Sequence, residues 1–338
     1  MERQTLDTFD VERLVPGFRP PTCPAAAPGG AAADPAAVAA ADIAMRRWRS
    51  PIPGPLEPGS DAHLSASCRM FRDTFNPYRP AVLDWPVLTP EVRERIVSLP
   101  IRDIAVQTEG KARLRMAAYA ATLPNPDMRD VLALNAWEEH CHKEVLARMV
   151  GAYGIELAPE PPPAMPADPE WAYLVTGYSE CIDSFFAFGL FELARRSGLF
   201  PQALVDTFEP VMQEECRHIL LFANWAGWHR ARLSPWRRLC FECKVARVWA
   251  FLAWERIGLA RAVGAGPAST AQDHNFTLNG AQSVSGDGIG LRALLALCLV
   301  ENERRFAGYD ERLLRPLTMP RLVRGALRLM RLPGCRGA

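Results

Sequence analysis

Two short runs in this chain, Glu138-Glu139-His140-Cys141-His142 and Glu214-Glu215-Cys216-Arg217-His218, place metal-binding side chains at the same interval. In each, a glutamate precedes a histidine by three positions, Glu139 with His142 and Glu215 with His218, and on a helix that interval puts both side chains on one face, a turn apart. Each pair is preceded at helix-length distance by a lone glutamate in an apolar or small-residue stretch, Glu109 in the first half and Glu180 in the second. Six such donors suit two divalent ions if some carboxylates bridge. Glutamate with histidine favours iron or manganese over a thiolate-seeking metal.

The elements that must position these side chains read as helices. Pro100 precedes a break-free segment to Thr122 that carries Glu109, and Asp127 to Tyr153 carries the first pair. A proline-rich connection, Pro159 to Pro169, is long enough to cross between helices. Trp171 to Ser197 then carries Glu180, and Pro201 opens a helix to Arg232 that carries the second pair. Pro210 predicts a kink or local unwinding one turn before Glu215. Steps of three and four from Glu139 give Leu132, Ala136, His142, Leu146 and Met149; from Glu215 they give Leu204, Phe208, Val211, His218 and Phe222. Both pairs therefore sit in apolar stripes, where an unpaired carboxylate is costly and a cation must meet it.

One Glu from each of two helices with a Glu-x-x-His from each of two others is the ligand inventory of carboxylate-bridged di-iron and di-manganese bundles. The second run resembles the (Asp/Glu)-Glu-x-Arg-His signature of the ferritin-like di-iron carboxylate superfamily. That superfamily includes the ribonucleotide reductase small subunit, bacterial multicomponent monooxygenases, soluble fatty acyl desaturases and p-aminobenzoate N-oxygenases. The first run departs from the signature, with Cys141 in place of Arg, and the resemblance covers residues 100 to 232. It implies an all-α chain, a ferritin-like four-helix bundle with N- and C-terminal helical extensions. It implies that Glu109, Glu139, His142, Glu180, Glu215 and His218 hold two iron ions, with manganese replacing one or both as the alternative. It also implies that Glu138 and Glu214 accept hydrogen bonds from the ligand histidine of the opposite pair, and that Arg217 neutralises Glu214.

The implied activity is oxidation of a small organic substrate with O2 (hydroxylation, N-oxygenation or desaturation), fed by an external electron donor such as a reductase or ferredoxin. Small residues, Ser184 and Ala187 on the Glu180 face and Ala112 on the Glu109 face, mark where a substrate pocket opens. The rival classes are a ferroxidase or rubrerythrin-like peroxide reductase and a non-enzymatic structural bundle. Storage proteins of this type are compact single bundles, whereas this chain carries much sequence outside residues 99–232. A monomer or small homo-oligomer is the expectation.

The flanking sequence divides into a linker or disordered N-terminus (1–42), a proline- and aromatic-rich accessory segment (43–98) and a C-terminal helical extension (233–338) around the bundle at 99–232. Within the extension, Trp236 to Val263 reads as an amphipathic helix, Ala271 to Gly290 as a polar loop, Leu291 to Phe306 as a helix, and the Arg- and Leu-rich tail from Arg312 as a capping layer. His140 lies about 200° around the helix from His142 and cannot join the same metal face. Cys240 and Cys243 form a lone C-x-x-C, read as one face of a helix.

Composition excludes little else. Hydrophobic residues are 49% and charged residues 23%, as in ordinary globular domains, and the net charge of +1 gives no field for nucleic acid. Nine cysteines, odd in number and partly within helices, do not suggest a secreted disulfide framework. With no signal-like N-terminus and no apolar run long enough to span a bilayer, a cytoplasmic protein without a transmembrane segment is expected.

Overall fold

The computed structural model describes residues 10–21, 34–78, 85–98, 101–155, 164–264 and 289–330. Among these the chain is all helical, with one isolated bridge between Trp48 and Tyr309 and no strand. The helices are α1 (Val11–Leu14), α2 (Pro35–Met45), α3 (Asp61–Asp73), α4 (Pro90–Ser98), α5 (Ile101–Ala120), α6 (Pro126–Ala152), α7 (Pro169–Ser197), α8 (Gln202–Arg232), α9 (Pro235–Gly264), α10 (Leu291–Phe306) and α11 (Thr318–Leu329). None is long and apolar enough to cross a membrane.

Local signals set the long helices. Asn125 caps α6 by accepting from the Met128 N–H, and Asp168 caps α7 by accepting from Trp171, each followed by proline at the first helical position. Gly198 ends α7 in the left-handed conformation (φ 65°), which glycine adopts without a Cβ clash. The connection from α5 to α6 is short, so these two are antiparallel neighbours. Helix α5 packs on α6 and α7, and α8 packs on α7 and more lightly on α6, so the four enclose a common interior with α6 and α7 at opposite corners. That interior is apolar at one end. Tyr119 and Tyr173 stack there with centroids 4.8 Å apart, and Phe222 and Trp225 meet Tyr173 edge-on.

Several flanking elements differ from their sequence reading. The stretch read as linker contains α2 from Pro35 onward, capped by Asp34, and Val11 and Val15 near the N-terminus are buried in the main core. The low-complexity composition concealed a valid Asp-Pro helix start. Helix α8 continues through Pro210, which is buried, without breaking into two helices. Helix α9 is not amphipathic. Phe241, Val245, Val248 and Leu252 are buried on one side, yet Trp236 and Trp254 on the other are 72% and 74% exposed. The loop expected at 271–290 lies outside the described residues except for its last two.

The N- and C-terminal layers are joined to each other as well as to the four helices. Trp48 N–H donates to the Gly308 carbonyl, and Arg312 donates to the carbonyls of Ile52 and Ser50 while pairing with Asp310. The tail caps as expected: α11 rests on α10 and α7 with Val323 buried. Helix α10 approaches α7 closely because residue 189 is glycine. A Cβ there overlaps the Cys298 sulfur and presses on the Cys298 backbone. Gly189→Ala is expected to destabilise the protein by about 1–3 kcal/mol, the usual cost of overpacking, read as a lower urea midpoint; an unchanged midpoint would show that α10 shifts freely.

Candidate metal centre

The two Glu-x-x-His pairs meet between α6 and α8, in the interior these share with α5 and α7. Glu139, His142, Glu215 and His218 each offer one ligand atom, all within 4.8 Å of one another, and they can hold a metal ion. His142 and His218 lie ring over ring, centroids 5.5 Å apart. His218 Nδ1 is 2.8 Å from Glu139 Oε1, and His142 Nδ1 is 3.2 Å from Glu215 Oε1 and 3.9 Å from Glu139 Oε2. Glu109 borders this group with its Oε2 4.0 Å from His142 Nδ1, and Glu180 lines the same interior cavity.

The opposite ring nitrogens are held from behind. His142 Nε2 donates to Glu214 Oε2 at 2.8 Å and His218 Nε2 donates to Glu138 Oε2 at 2.9 Å, each to the pair on the other helix. With Nε2 turned to these carboxylates in both rings, Nδ1 is the nitrogen that faces the centre and would take a metal once its proton leaves. Arg217 donates a hydrogen bond to Glu138 Oε1 at 2.6 Å, and the Glu214 carboxylate acts on it through its charge. Its other donors are fixed by Thr74 Oγ1 at 2.8 Å and the Phe71 carbonyl at 2.6 Å, which aim the side chain across to α6. These two α3-end residues were invisible to sequence reasoning. Nothing local links them to a site more than 140 residues away.

The donor set fits a cation. His142 Nδ1, His218 Nδ1, Glu139 Oε1 and Glu180 Oε1 are buried and lack any hydrogen-bond partner, so His218 Nδ1 and Glu139 Oε1 are near each other without being aligned to bond. Orphaned buried polar atoms cost about 1–3 kcal/mol each; a metal ion held by Glu139, His142, Glu215 and His218 would satisfy those of the first, second and fourth together. His140 stays outside, its Nδ1 2.9 Å from the buried Arg113 guanidinium. Cys240 and Cys243 are exposed free thiols on α9.

Without metal the same crowding retains protons. Burial, then the Glu139 carboxylate, raises Glu109 well above the usual range; burial, then Glu139 and Glu215, does the same for Glu180. Burial opposes charge on His142 and His218, but their carboxylate partners outweigh it, lifting His142 well above 6.5 and His218 to about 10. Glu139 is held at about 2 against its burial by hydrogen bonding with Glu109 and by the His218 charge. Both raised histidines stabilise the metal-free fold fully below pH 6.5 and lose that contribution as pH rises through their folded values, toward about 10 for His218. The metal must displace these protons. Metal uptake at pH 7 is therefore expected to release protons and to tighten with rising pH, while the metal-free protein loses stability above pH 6.5. Titration calorimetry in two buffers of different ionisation enthalpy checks this, and equal heats would contradict it.

A cavity of about 380 Å³ opens directly on the site. Its walls include Ala112, Ser184 and Ala187, the small residues expected to admit a substrate. It continues between α6, α7 and α8 past Leu146, Met149, Leu190, Leu204 and Phe208. No known protein family, curated protein or solved structure matches this chain.

Proposed function

We propose that this protein is a ferritin-like non-haem di-iron oxygenase or oxidase that uses O2 to oxidise a small, mainly apolar organic molecule. The observation that carries the reading is the convergence of two Glu-x-x-His pairs with unpartnered Nδ1 atoms beside a largely apolar cavity. Glu109 and Glu180, at the border of the four-residue group, complete a six-donor set for two ions, iron or manganese. When bound, such a metal pair supplies the electrons and Lewis acidity for O2 activation, with an external reductase or ferredoxin returning the electrons.

The chain's own residues do the rest. Glu214 and Glu138 fix the imidazole tautomers, and Arg217 holds Glu138 ionised inside the protein. Phe191, Phe200 and Phe208 line the apolar arm of the cavity and would keep water from a hydrocarbon body held there. Glu109 and Glu180 face the cavity, where a carboxylate can change its position as charge at the centre changes. A storage shell has no use for this apolar cavity, and a monomer or small oligomer is the expected particle.

Substrate-dependent O2 consumption by the iron-loaded protein with a reductant tests the reading. Turnover that rises with a cavity-filling substrate supports it. Uptake of ferrous iron far beyond two ions per chain, with no such substrate dependence, would favour iron storage instead.

A further inference from the structure

The mouth of the cavity is polar, and one of its charges stands unmatched among the described residues. Helix α5 presents two rows to it. Glu109 and Ala112 lie deep, and Thr108, Lys111 and Arg115, at helical steps of three and four, form the rim. Across the opening stand Ser179 and Asp183 of α7 and Glu255 of α9. Asp183 is already neutralised by Arg256 at 2.7 Å and accepts from Ser179 at 2.9 Å. Arg115 and Glu255 each have interactions of their own. Lys111 is half-buried on the rim and makes no hydrogen bond or ion pair with any described residue. An ammonium group beside an apolar cavity, with its acidic neighbours engaged elsewhere, is a receptor for an anion.

We infer that Lys111 is a specificity-determining residue that binds the carboxylate of an aliphatic carboxylic acid whose hydrocarbon body fills the cavity. This rests on the oxygenase reading only for what happens after binding. Shape supports the choice of an extended body. From the level of Glu139 and Glu215 the lining follows α6 to Met149 and α8 back to Leu204, ten and eleven residues, a path of about 15 Å at the helical rise. Lys111 stands two residues from Glu109, about 3 Å of rise, so a head group held there leaves the first carbons of the chain beside the metal site and the rest in the apolar arm. Ile96, Val145, Val205 and Met212 complete that arm without adding charge.

Equilibrium binding of dodecanoate, its methyl ester and dodecylamine to the metal-loaded full chain under anaerobic conditions tests the assignment without requiring turnover. The wild type is expected to bind dodecanoate about 10- to 100-fold more tightly than the ester, the range for a charge-assisted hydrogen bond. Lys111→Met should abolish that preference by weakening acid binding far more than ester binding, and Lys111→Arg should restore most of it. Ala187→Phe, which fills the cavity from α7, should weaken acid and ester alike. Equal binding of acid and ester by the wild type, preference for the amine, or a preference that survives Lys111→Met would overturn the inference. Tight, Lys111-dependent dodecanoate binding without O2 consumption would uphold Lys111 as the anion receptor and remove the oxygenase reading. Conversely, turnover of uncharged substrates with no acid preference would sink the inference alone.

Discussion

Replacing His142 or His218 with alanine is expected to weaken metal binding by more than about 100-fold, because even residues that only orient a ligand are worth about 10- to 100-fold. Each histidine is fully buried and points an unpartnered Nδ1 at the other donors. His140 cannot substitute, since it is turned away toward Arg113. Elemental analysis after reconstitution with ferrous iron or manganese should show a clear loss in both variants, with far-UV circular dichroism confirming that the helices persist. A full metal complement in both would remove the ligand assignment.

The largest effect on stability is expected at Arg217. Its side chain is fully buried, and it forms an ion pair with Glu138, itself 3% exposed, while tying α8 to Thr74 and Phe71 at the end of α3. Burial opposes charge on Glu138, and the Arg217 guanidinium together with the His218 hydrogen bond keeps its pKa below the ordinary value. Arg217→Met strands that carboxylate. Breaking one side of a buried pair costs about 3–5 kcal/mol, to be read from urea unfolding of the chelated protein so that metal loss does not contribute. Adding Glu138→Gln should recover part of the loss, since the two changes touch one network and are not additive. A cost below about 1 kcal/mol would place the pair among those that solvent already screens.

How much was legible in advance follows the range of each interaction. Glu139 with His142 and Glu215 with His218 were readable because their relation is local, one helical turn, and the surrounding stripe of Leu132, Ala136, Val211 and Phe222 marked which face is buried. Pro100, Pro169 and Pro201 located three of the helices that carry them to within a few residues, whereas the caps at Asn125 and Asp168 are seen only in the structure. Arg217 shows where local reasoning stops. Glu214 is its neighbour at one turn, and only the tertiary position of Thr74 and Phe71 turns the guanidinium to Glu138 instead. Helix α2 was missed for the opposite reason: its start signal at Asp34-Pro35 was present, but the Ala-, Pro- and Gly-rich composition around it outweighed the signal. In α9, the inward stripe of Phe241, Val245, Val248 and Leu252 was readable from its spacing, but exposed Trp236 and Trp254 break the polar outer face that an amphipathic pattern requires. Lys111 had no distinguishing pattern of its own, and it stands out only once α7 and α9 are seen to engage the other charges on the rim.

The central claim is that this interior holds a pair of metal ions, and its most direct measurement is the metal content of the protein purified without chelators and after anaerobic reconstitution with ferrous iron. The expected result is saturation near two iron or manganese ions per chain, falling in the His142→Ala and His218→Ala variants. A protein that saturates with no metal, or that binds it equally well without either histidine, would contradict the account.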